Sequence, residues 1–429
     1  MIKDTFLYNI RHKVNGIFAK SIYGNPSAQM FVIGVTGTDG KTTTANLIHH
    51  IIQENLGNCV LVSTANIKFG TQEVFNDTKM TSLNVFQLNK LLSDARNQGI
   101  NYAVIEVSSH GLAQYRFEGI SFSLGVLTNI SAEHLDFHKD INQYTDTKKK
   151  LFLNILRNNL STKCAILPKD DDIGRKWMEE MIFDKMMDYG INLTSTIRWE
   201  NIQEWLEWTD RKLTYLGKSY QVHSLLPAKF NVYNQLAAAW VGIQLGIDIE
   251  KIVSSLEKFE PVNGRVNILK KDDIIYIVDF GHTPKALESL LSYVQNIRST
   301  EGKIITLFGA PGKRDKYKRP QMWEVVDKMS DIVIVTEDDS MSENTISIIN
   351  DIVQGIHRKE WDNFFIQPTR EFALRLAVDM AKSGDIVVLA GKWHERKLYT
   401  NYGTVDWNDM DKLKSILEED KTTLTSSKE

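Results

Sequence analysis

The sequence predicts an α/β protein in which mostly parallel strands alternate with helices, organised as two successive domains. Short β-branched runs (MFVIGV, CVLVST, YAVIEVSS, LGVLTNIS) alternate with helical patterns such as NVFQLNKLLSDARNQG in the first half, and strands separated by helices argue for a parallel, doubly wound sheet. A second series (IIYIVDF, KIITLFGA, DIVIVTED, DIVVLAG), again with helices between, begins after an interruption near PVNGR. That restart predicts a second α/β domain from about Arg265. With 429 residues the chain is long enough for two or three domains, each with its own core.

Taken in order, residues 1–30 form a separate extension. Phe6, Leu7, Ile10, Val14, Ile17 and Phe18 recur at helical spacing with Lys3, Arg11, Lys13 and Lys20 between them, the pattern of a basic amphipathic helix. Such a helix either docks on the next domain or makes peripheral membrane contact in a headgroup layer, and both readings stay open. Residues 31–264 form the central domain. Within it, the stretch from Cys164 to Ser224 is less regular, and RKLTYLG with KSYQVHSL reads as antiparallel ribbon; helices follow at FNVYNQLAAAWVGIQLG and IEKIVSSLEKF. The second domain covers 265–418, and the polar end EDKTTLTSSKE, 419–429, reads as a disordered tail.

Charged residues make up 24% and apolar residues 42%, and the formal net charge is -3, so no global attraction to nucleic acid is expected. Cys59 and Cys164 are the two cysteines, each inside an apolar strand-like run; buried thiols in a reducing compartment fit this better than a disulfide or zinc framework. The start lacks the charged, apolar and small-residue sequence of a signal peptide, and no apolar stretch reaches about 18 residues. A cytoplasmic protein is expected.

GVTGTDGKTTT, residues 34–44, is the strongest chemical signal. It follows a strand and opens a helix, so its backbone amides can converge on phosphate oxygens at a positive helix end. It nevertheless fails the usual spacing, which would require a glycine at Val35. Gly37, Thr38, Asp39, Gly40, Lys41, Thr42 and Thr43 are the candidate phosphate-binding residues, with Lys41 reaching the terminal phosphates and the Thr42 hydroxyl entering a magnesium shell.

IEVSSHGLAQYR places Glu106 at the carboxyl end of an apolar strand, where ligands bind in open parallel sheets. Ser109, His110, Gln114 and Arg116 follow, groups suited to a polar, anionic substrate. No G-x-S-x-G elbow supports a serine nucleophile. TNISAEHLDFH, again at a strand end, carries Asn129, Glu133, His134, Asp136 and His138; it also reads as a helix start capped by Ser131. Its histidines lack HExxH spacing, so a zinc hydrolase is not indicated. In QYTDTKKKLF, Lys149 and Lys150 read as a solvated helix face.

These blocks, in this order and over about residues 31–412, resemble the Mur ligases, ATP-dependent amide-forming enzymes of peptidoglycan precursor synthesis; EVSSHGLAQYR and TNISAEHLDFH look like those of the UDP-N-acetylmuramoyl-tripeptide synthetases. The shorter loop T-G-T-N-G-K-T is that family's form, which accounts for the spacing. The resemblance implies a central P-loop ATPase-like domain and a C-terminal Rossmann-like domain. It implies ATP and magnesium, two ions, with Lys41 and Thr42 at the phosphates, Glu106 and His134 as magnesium ligands, and Lys148 carbamoylated to hold the second ion. Thr81, Ser82, Ser109, Gln114 and Arg116 match positions that grip a muramoyl-peptide substrate. Asn231 and Asn234 match the adenine-side motif, and Arg265, Asp279, His282 and Arg319 the ATP-facing edge of the last domain. A monomer acting on small molecules is implied.

The sequence departs from the family in places. Gly34 lies close to the start of the chain, so the amino-terminal domain for the uridine nucleotide is expected to be missing, and a lipid-linked or membrane-proximal acceptor becomes an option. The family's D-N-P-R, whose arginine reads the distal carboxylate of diaminopimelate, appears as Asp338-Asp339-Ser340-Met341; loss of the guanidinium removes bidentate recognition, and Glu337, Asp338 and Asp339 would favour a cationic side chain such as lysine or ornithine. AGKWHE keeps Gly391 and Glu395, which face the side-chain amine in the family, but has Trp393 in place of a glycine. Asp39 stands where asparagine is usual and is expected to cap the loop. The expected reaction is ATP-dependent, ADP-forming addition of an amino acid to a muramoyl-peptide-like carboxylate through an acyl phosphate. A folylpolyglutamate-synthetase-like ligase on another acceptor and a non-catalytic nucleotide-binding protein are the alternatives.

Overall fold

A computed structural model describes residues 6–75, 82–160, 162–262, 264–354, 358, 363–392 and 397–426, and at 6–10, 75 and 420–426 the backbone alone. The first sequence series forms α1 (Phe6–Ile22), β1 (Phe31–Thr36), α2 (Lys41–Asn55), β2 (Cys59–Val62), β3 (Asn66–Phe69), β4 (Gln72–Phe75), α3 (Val85–Asn97), β5 (Tyr102–Glu106), α4 (Ser109–Ala113), β6 (Leu124–Leu127), α5 (Ile141–Arg157), β7 (Cys164–Pro168), α6 (Asp172–Glu180), β8 (Lys185–Gly190), β9 (Ile197–Glu204), β10 (Thr209–Tyr215), β11 (Lys218–Ser224), α7 (Phe230–Gln244) and α8 (Ile249–Lys258). The second forms β12 (Asn267–Lys271), β13 (Ile274–Asp279), α9 (Pro284–Ile297), β14 (Ile304–Phe308), α10 (Lys318–Met329), β15 (Ile332–Val335), α11 (Thr345–Ile352), β16 (Phe364–Ile366), α12 (Arg370–Met380), β17 (Ile386–Ala390), β18 (Lys397–Thr400), β19 (Gly403–Asp406) and α13 (Asp409–Ser426).

The chain divides into two compact units whose sequences interleave. Residues 1–132, 139–203 and 208–260 form one; 133–138, 204–207 and 261–429 form the other. The first unit holds an eleven-stranded sheet, ordered β11-β10-β9-β8-β7-β6-β1-β5-β2-β3-β4. Its middle is parallel, and β1 lies between β5 and β6 in the register Val35↔Glu106 and Thr36↔Leu127. Three strand ends therefore point the same way at the sheet centre, the place where open α/β sheets bind ligands. The expected ribbon is the antiparallel pair β10–β11. Leu88 and Leu92 of α3, Leu151, Phe152 and Ile155 of α5, and Trp177 of α6 cover a strand layer of Val32, Ile105 and Ala165 as one apolar cluster. These runs are apolar throughout because both sheet faces are covered.

The second unit holds a six-stranded sheet, β12-β13-β17-β14-β15-β16, parallel except for the edge pair β12–β13. Val278, Leu307, Ile334 and Leu389 pack against Leu374 of α12 and Leu413 and Ile416 of α13. Helix α13 continues into residues read from the sequence as a tail. Both cysteines are buried and unbridged. Ser131 does not start a helix: α5 begins later, capped by the Asp140 carboxylate, which accepts from the Gln143 amide. Among the described residues no helix is long and apolar enough to cross a membrane.

Candidate active site

The loop between β1 and α2 is built from two glycines and braced from the neighbouring strand ends. Gly37 (φ 149°) and Gly40 (φ 80°) have backbone angles that L side chains rarely adopt, and a Cβ would collide with Thr128 Oγ1 at the first and with Asn234 Oδ1 at the second. The Thr38 amide donates to the Asn129 carbonyl (2.9 Å) and the Asp39 amide to Asn129 Oδ1 (3.0 Å). The Asp39 carbonyl accepts from Thr128 Oγ1 (2.6 Å) and Asn129 Nδ2 (3.0 Å). The Thr38 hydroxyl donates to the Ser131 carbonyl, accepts from the Ser131 amide and lies 3.1 Å from the Tyr144 hydroxyl. Gly40 is the N-cap of α2 and supplies no side-chain cap. The first-turn amides of a helix have no intrahelical partners, so the group that satisfies them has to come from outside the helix, and an anion suits the positive end.

Two lysines and a carboxylate surround this cradle. Lys41 Nζ lies 2.6 Å from the Thr38 carbonyl, and the buried Lys148 Nζ lies 2.5 Å from the Gly37 carbonyl and 4.5 Å from the Tyr144 ring centroid. Lys148 faces inward on α5, whereas Lys149 pairs with Glu180 and Lys150 is exposed, as the sequence pattern indicated. Glu106, 1% exposed, accepts from the Thr42 hydroxyl (3.0 Å) and the Thr64 amide (2.8 Å) through Oε2. Thr43 is buried in the same turn. Asn234 Oδ1 accepts from Thr44 Oγ1 (3.2 Å), and its amide nitrogen donates to Asn231, so the pair underpins the loop from α7.

A second group lies after β5. Arg116 donates to the Ser82 carbonyl and to Gln114 Oε1, both at 2.7 Å, and Ser82 Oγ lies 2.9 Å from Ser108 Oγ. Ser108 caps α4, and Ser109, its first residue, is buried. Ser82, Gln114 and Arg116 are thus brought together; Thr81 falls outside the described residues.

In the second unit, Glu133 Oε1 lies 3.2 Å from His282 Nε2, with His134 on the other carboxylate oxygen at 3.6 Å. Burial alone would raise the Glu133 pKa, but His134, the hydrogen-bonded His282 and Lys318 hold it well below the usual carboxylate range. His134 adopts φ 56°. Asp279 accepts from the Val266 and Gly281 amides (3.0 and 2.7 Å), and the Arg265 guanidinium sits 4.9 Å from the Phe280 ring centroid. Glu106 and His134, paired as metal ligands in the sequence reading, fall in different units.

Several residues are engaged in ways the sequence did not indicate. Arg319 is buried, bonded to Glu343 (3.0 Å) and Asp351 (2.7 Å). Its neighbour Lys318, passed over in the sequence, donates to the His282 carbonyl at 2.8 Å. Burial lowers the Lys318 pKa against the raising pull of Glu133, Asp315 and Asp338. The acidic run is not three open carboxylates: Lys392 Nζ lies 2.5 Å from Asp339, and Glu337 accepts from the Arg370 amide. Asp338 lies beside Gly391, where a Cβ would be 3.2 Å from its Oδ2. Glu395 and Trp393 lie outside the described residues.

A strand–glycine loop–helix cradle carrying Lys41, Thr42 and Glu106, with a second α/β unit on the same chain, defines a nucleotide-binding α/β enzyme. Residues 35–242 match the Mur ligase middle domain and 264–393 the Mur ligase glutamate ligase domain. The UDP-N-acetylmuramoyl-L-alanyl-D-glutamate-2,6-diaminopimelate ligase 1 of Clostridium acetobutylicum is 35% identical over 410 residues, 95% of this chain and 82% of that protein. A UDP-N-acetylmuramyl-tripeptide synthetase of Roseiflexus is 31% identical over 94% and 81%. The chain belongs to the Mur ligase family. A solved diaminopimelate ligase superposes with a TM-score of 0.63 at 29% identity over 91% of this chain and 79% of that one. Folylpolyglutamate synthase of Mycobacterium tuberculosis shares the fold, with a TM-score of 0.73 at 14% identity over 88% and 92%.

Proposed function

We propose that this protein is an ATP-dependent, ADP-forming ligase that joins an amino acid to a muramoyl-peptide-like carboxylate in peptidoglycan precursor synthesis. The single observation that carries the reading is the glycine-capped start of α2, with Lys41 and the Thr42–Glu106 pair beside it. The amides of that turn and Lys41 hold the ATP phosphates. Thr42 and Glu106 would hold magnesium, which supplies charge neutralisation at the transferring phosphoryl group. Magnesium is bound through one or two carboxylates, substrate phosphates and waters, so a hydroxyl and a carboxylate 3.0 Å apart suit an ion that arrives on the nucleotide.

Lys148 is the residue proposed to carry a carbamate for a second magnesium. Addition of CO2 to its neutral amine releases a proton and leaves one N–H, enough to keep the bond to the Gly37 carbonyl. Arg116, Gln114 and Ser82 orient the acceptor carboxylate. The acceptor attacks the γ-phosphate to give an acyl phosphate and ADP, and the incoming amine then displaces phosphate. Such a path rests on positioning and charge stabilisation more than on acid–base groups. Met341 stands where the family's D-N-P-R motif has arginine, and Asp338, whose Oδ1 already accepts from the Asp339 amide and lies 3.9 Å from Lys392 Nζ, turns Oδ2 toward Gly391; with the arginine replaced and the acids retained, lysine or ornithine is the proposed amino acid.

Purified protein with ATP, magnesium, an amino-acid panel and UDP-muramoyl-dipeptide, its lipid-linked form or a folate acceptor decides the matter. Phosphate release is expected only with an amino acid and a muramoyl acceptor together, and product masses name both. Release with the folate acceptor alone would move the assignment to the second ligase class. Lys41→Ala and Lys148→Ala should each reduce turnover at least about a hundredfold; ATP turnover indifferent to every acceptor would refute the proposal.

A further inference from the structure

The amino-terminal helix presents an apolar face that its own unit does not cover. Val14, Ile17, Phe18 and Ile22 are 55, 61, 62 and 57% exposed, and their spacing puts them on one side of α1. The opposite side is fixed inward. Ala19 is fully buried, and Gly16 lies so close to Glu118 that a Cβ would come within 2.6 Å of its Cβ. The close backbone approach sets the rotation of the helix, and that rotation turns the apolar side out.

Charge borders the same face. No Asp or Glu occurs from Thr5 to Thr38, while Arg11, Lys13 and Lys20 lie along the helix. Lys13 Nζ is 5.0 Å from the Tyr115 ring centroid, and Lys150 Nζ is 5.7 Å from the same ring, so the adjoining surface adds cations. Burial first, then Arg11 and Arg116, lowers the pKa of His12, as a positive surround does. Exposed large apolar side chains on a helix segment whose own charges are all cations, with Glu118 on the opposite, inward side at Gly16, match a negatively charged lipid surface. A second copy paired face to face about a two-fold axis would set Arg11, Lys13 and Lys20 against their own kind. The helix is not a membrane-crossing one.

We propose that α1 is a membrane-surface helix that seats Val14, Ile17, Phe18 and Ile22 at the acyl boundary of an anionic leaflet, with Arg11, Lys13 and Lys20 at the headgroups. This holds the ligase at the lipid face through one surface helix, and binding is reversible and sensitive to salt.

The full chain is sedimented with vesicles of phosphatidylcholine alone and of phosphatidylcholine with phosphatidylglycerol. It is expected to pellet with the second and not the first, and to be released by high salt. Ile17→Glu with Phe18→Glu should abolish pelleting while leaving ATP-dependent phosphate release at the wild-type rate. Arg11→Gln and Lys20→Gln should each weaken partitioning about fivefold. Failure to bind anionic vesicles, or binding that survives Ile17→Glu with Phe18→Glu, overturns the proposal. So does a lipid-free dimer in sedimentation velocity that the same variant dissociates, since the face would then belong to a second copy.

Discussion

Replacing Gly40 by alanine tests whether the loop is held by the contacts described for it. The residue sits at φ 80°, and its Cβ would run into Asn234 Oδ1, the atom that accepts from Thr44 Oγ1. The left-handed backbone alone costs an L residue about 1–2 kcal/mol. Relief of the collision moves Asn234 and breaks its bond to Thr44 in a buried setting, which adds about 1–2 kcal/mol. Together Gly40→Ala should cost roughly 2–4 kcal/mol of stability. If half of that distortion reaches the helix amides, ATP affinity should fall on the order of tenfold. Denaturant unfolding and ATP binding are measured for wild type, Gly40→Ala, Asn234→Ala and the double variant. With Asn234 cut back the collision disappears, so the double variant should be more stable than the sum of the singles predicts by about 1–2 kcal/mol. Additivity within about 0.5 kcal/mol would refute the reasoning, because two groups with no shared contact behave that way.

Other predictions follow from buried charge. Arg370 is fully buried and bonded to Asp409 on both carboxylate oxygens, with further bonds to the Glu337 and Ala390 carbonyls; Arg370→Met should destabilise the second unit by about 3–5 kcal/mol in denaturant unfolding, and Arg370→Met with Asp409→Leu should recover much of it. Burial, followed by the charge of Lys68, lowers the His49 pKa from 6.5 to about 4. Its neutral form is the native one, so its contribution of about 3 kcal/mol is present above pH 6.5 and lost as pH falls toward 4. His49→Gln, which keeps a donor for the Cys59 carbonyl, should flatten the fall in stability between pH 6.5 and 4, and an unchanged slope would show that other groups cause it. Glu343 is held well below the usual range, chiefly by its hydrogen bonds from Arg319. The stabilisation is present above the unfolded glutamate pKa and is lost only in strong acid, so Glu343→Gln should lower stability at pH 7 and much less at the lowest pH where the protein stays folded.

The parallel strands were legible because each is an apolar run set between helical periods, and β1, β5, β6, β13, β14, β15 and β17 fall where those runs stand. Glu106 was legible for the same reason, as a lone acid at the end of an apolar strand. The β3–β4 hairpin passed unnoticed, since its strands have four residues each and NIKF and QEVF mix charge into the alternation. Near the candidate site the sequence could name residue types but not facing. Lys318 and Arg319 are adjacent, and only the direction of α10 turns the lysine to His282 and the arginine to Glu343. The neutralisation of Asp339 by Lys392 joins residues 53 apart in sequence, a pairing that no local pattern encodes. Tyr144, against the Thr38 hydroxyl, carries no local sequence signal of its own.

The strip 133–138 has a bearing on how this enzyme can be recombined. It is encoded within the first unit's sequence but packs with the second, where Glu133 meets His282 and the Leu135 amide meets Asp315. The units are therefore not cassettes separable at residue 260. A chimera that takes residues 261–429 from a relative would oppose a foreign histidine and lysine to the native Glu133, whereas one that transplants 133–138 and 204–207 along with them keeps each carboxylate with the partners it evolved beside.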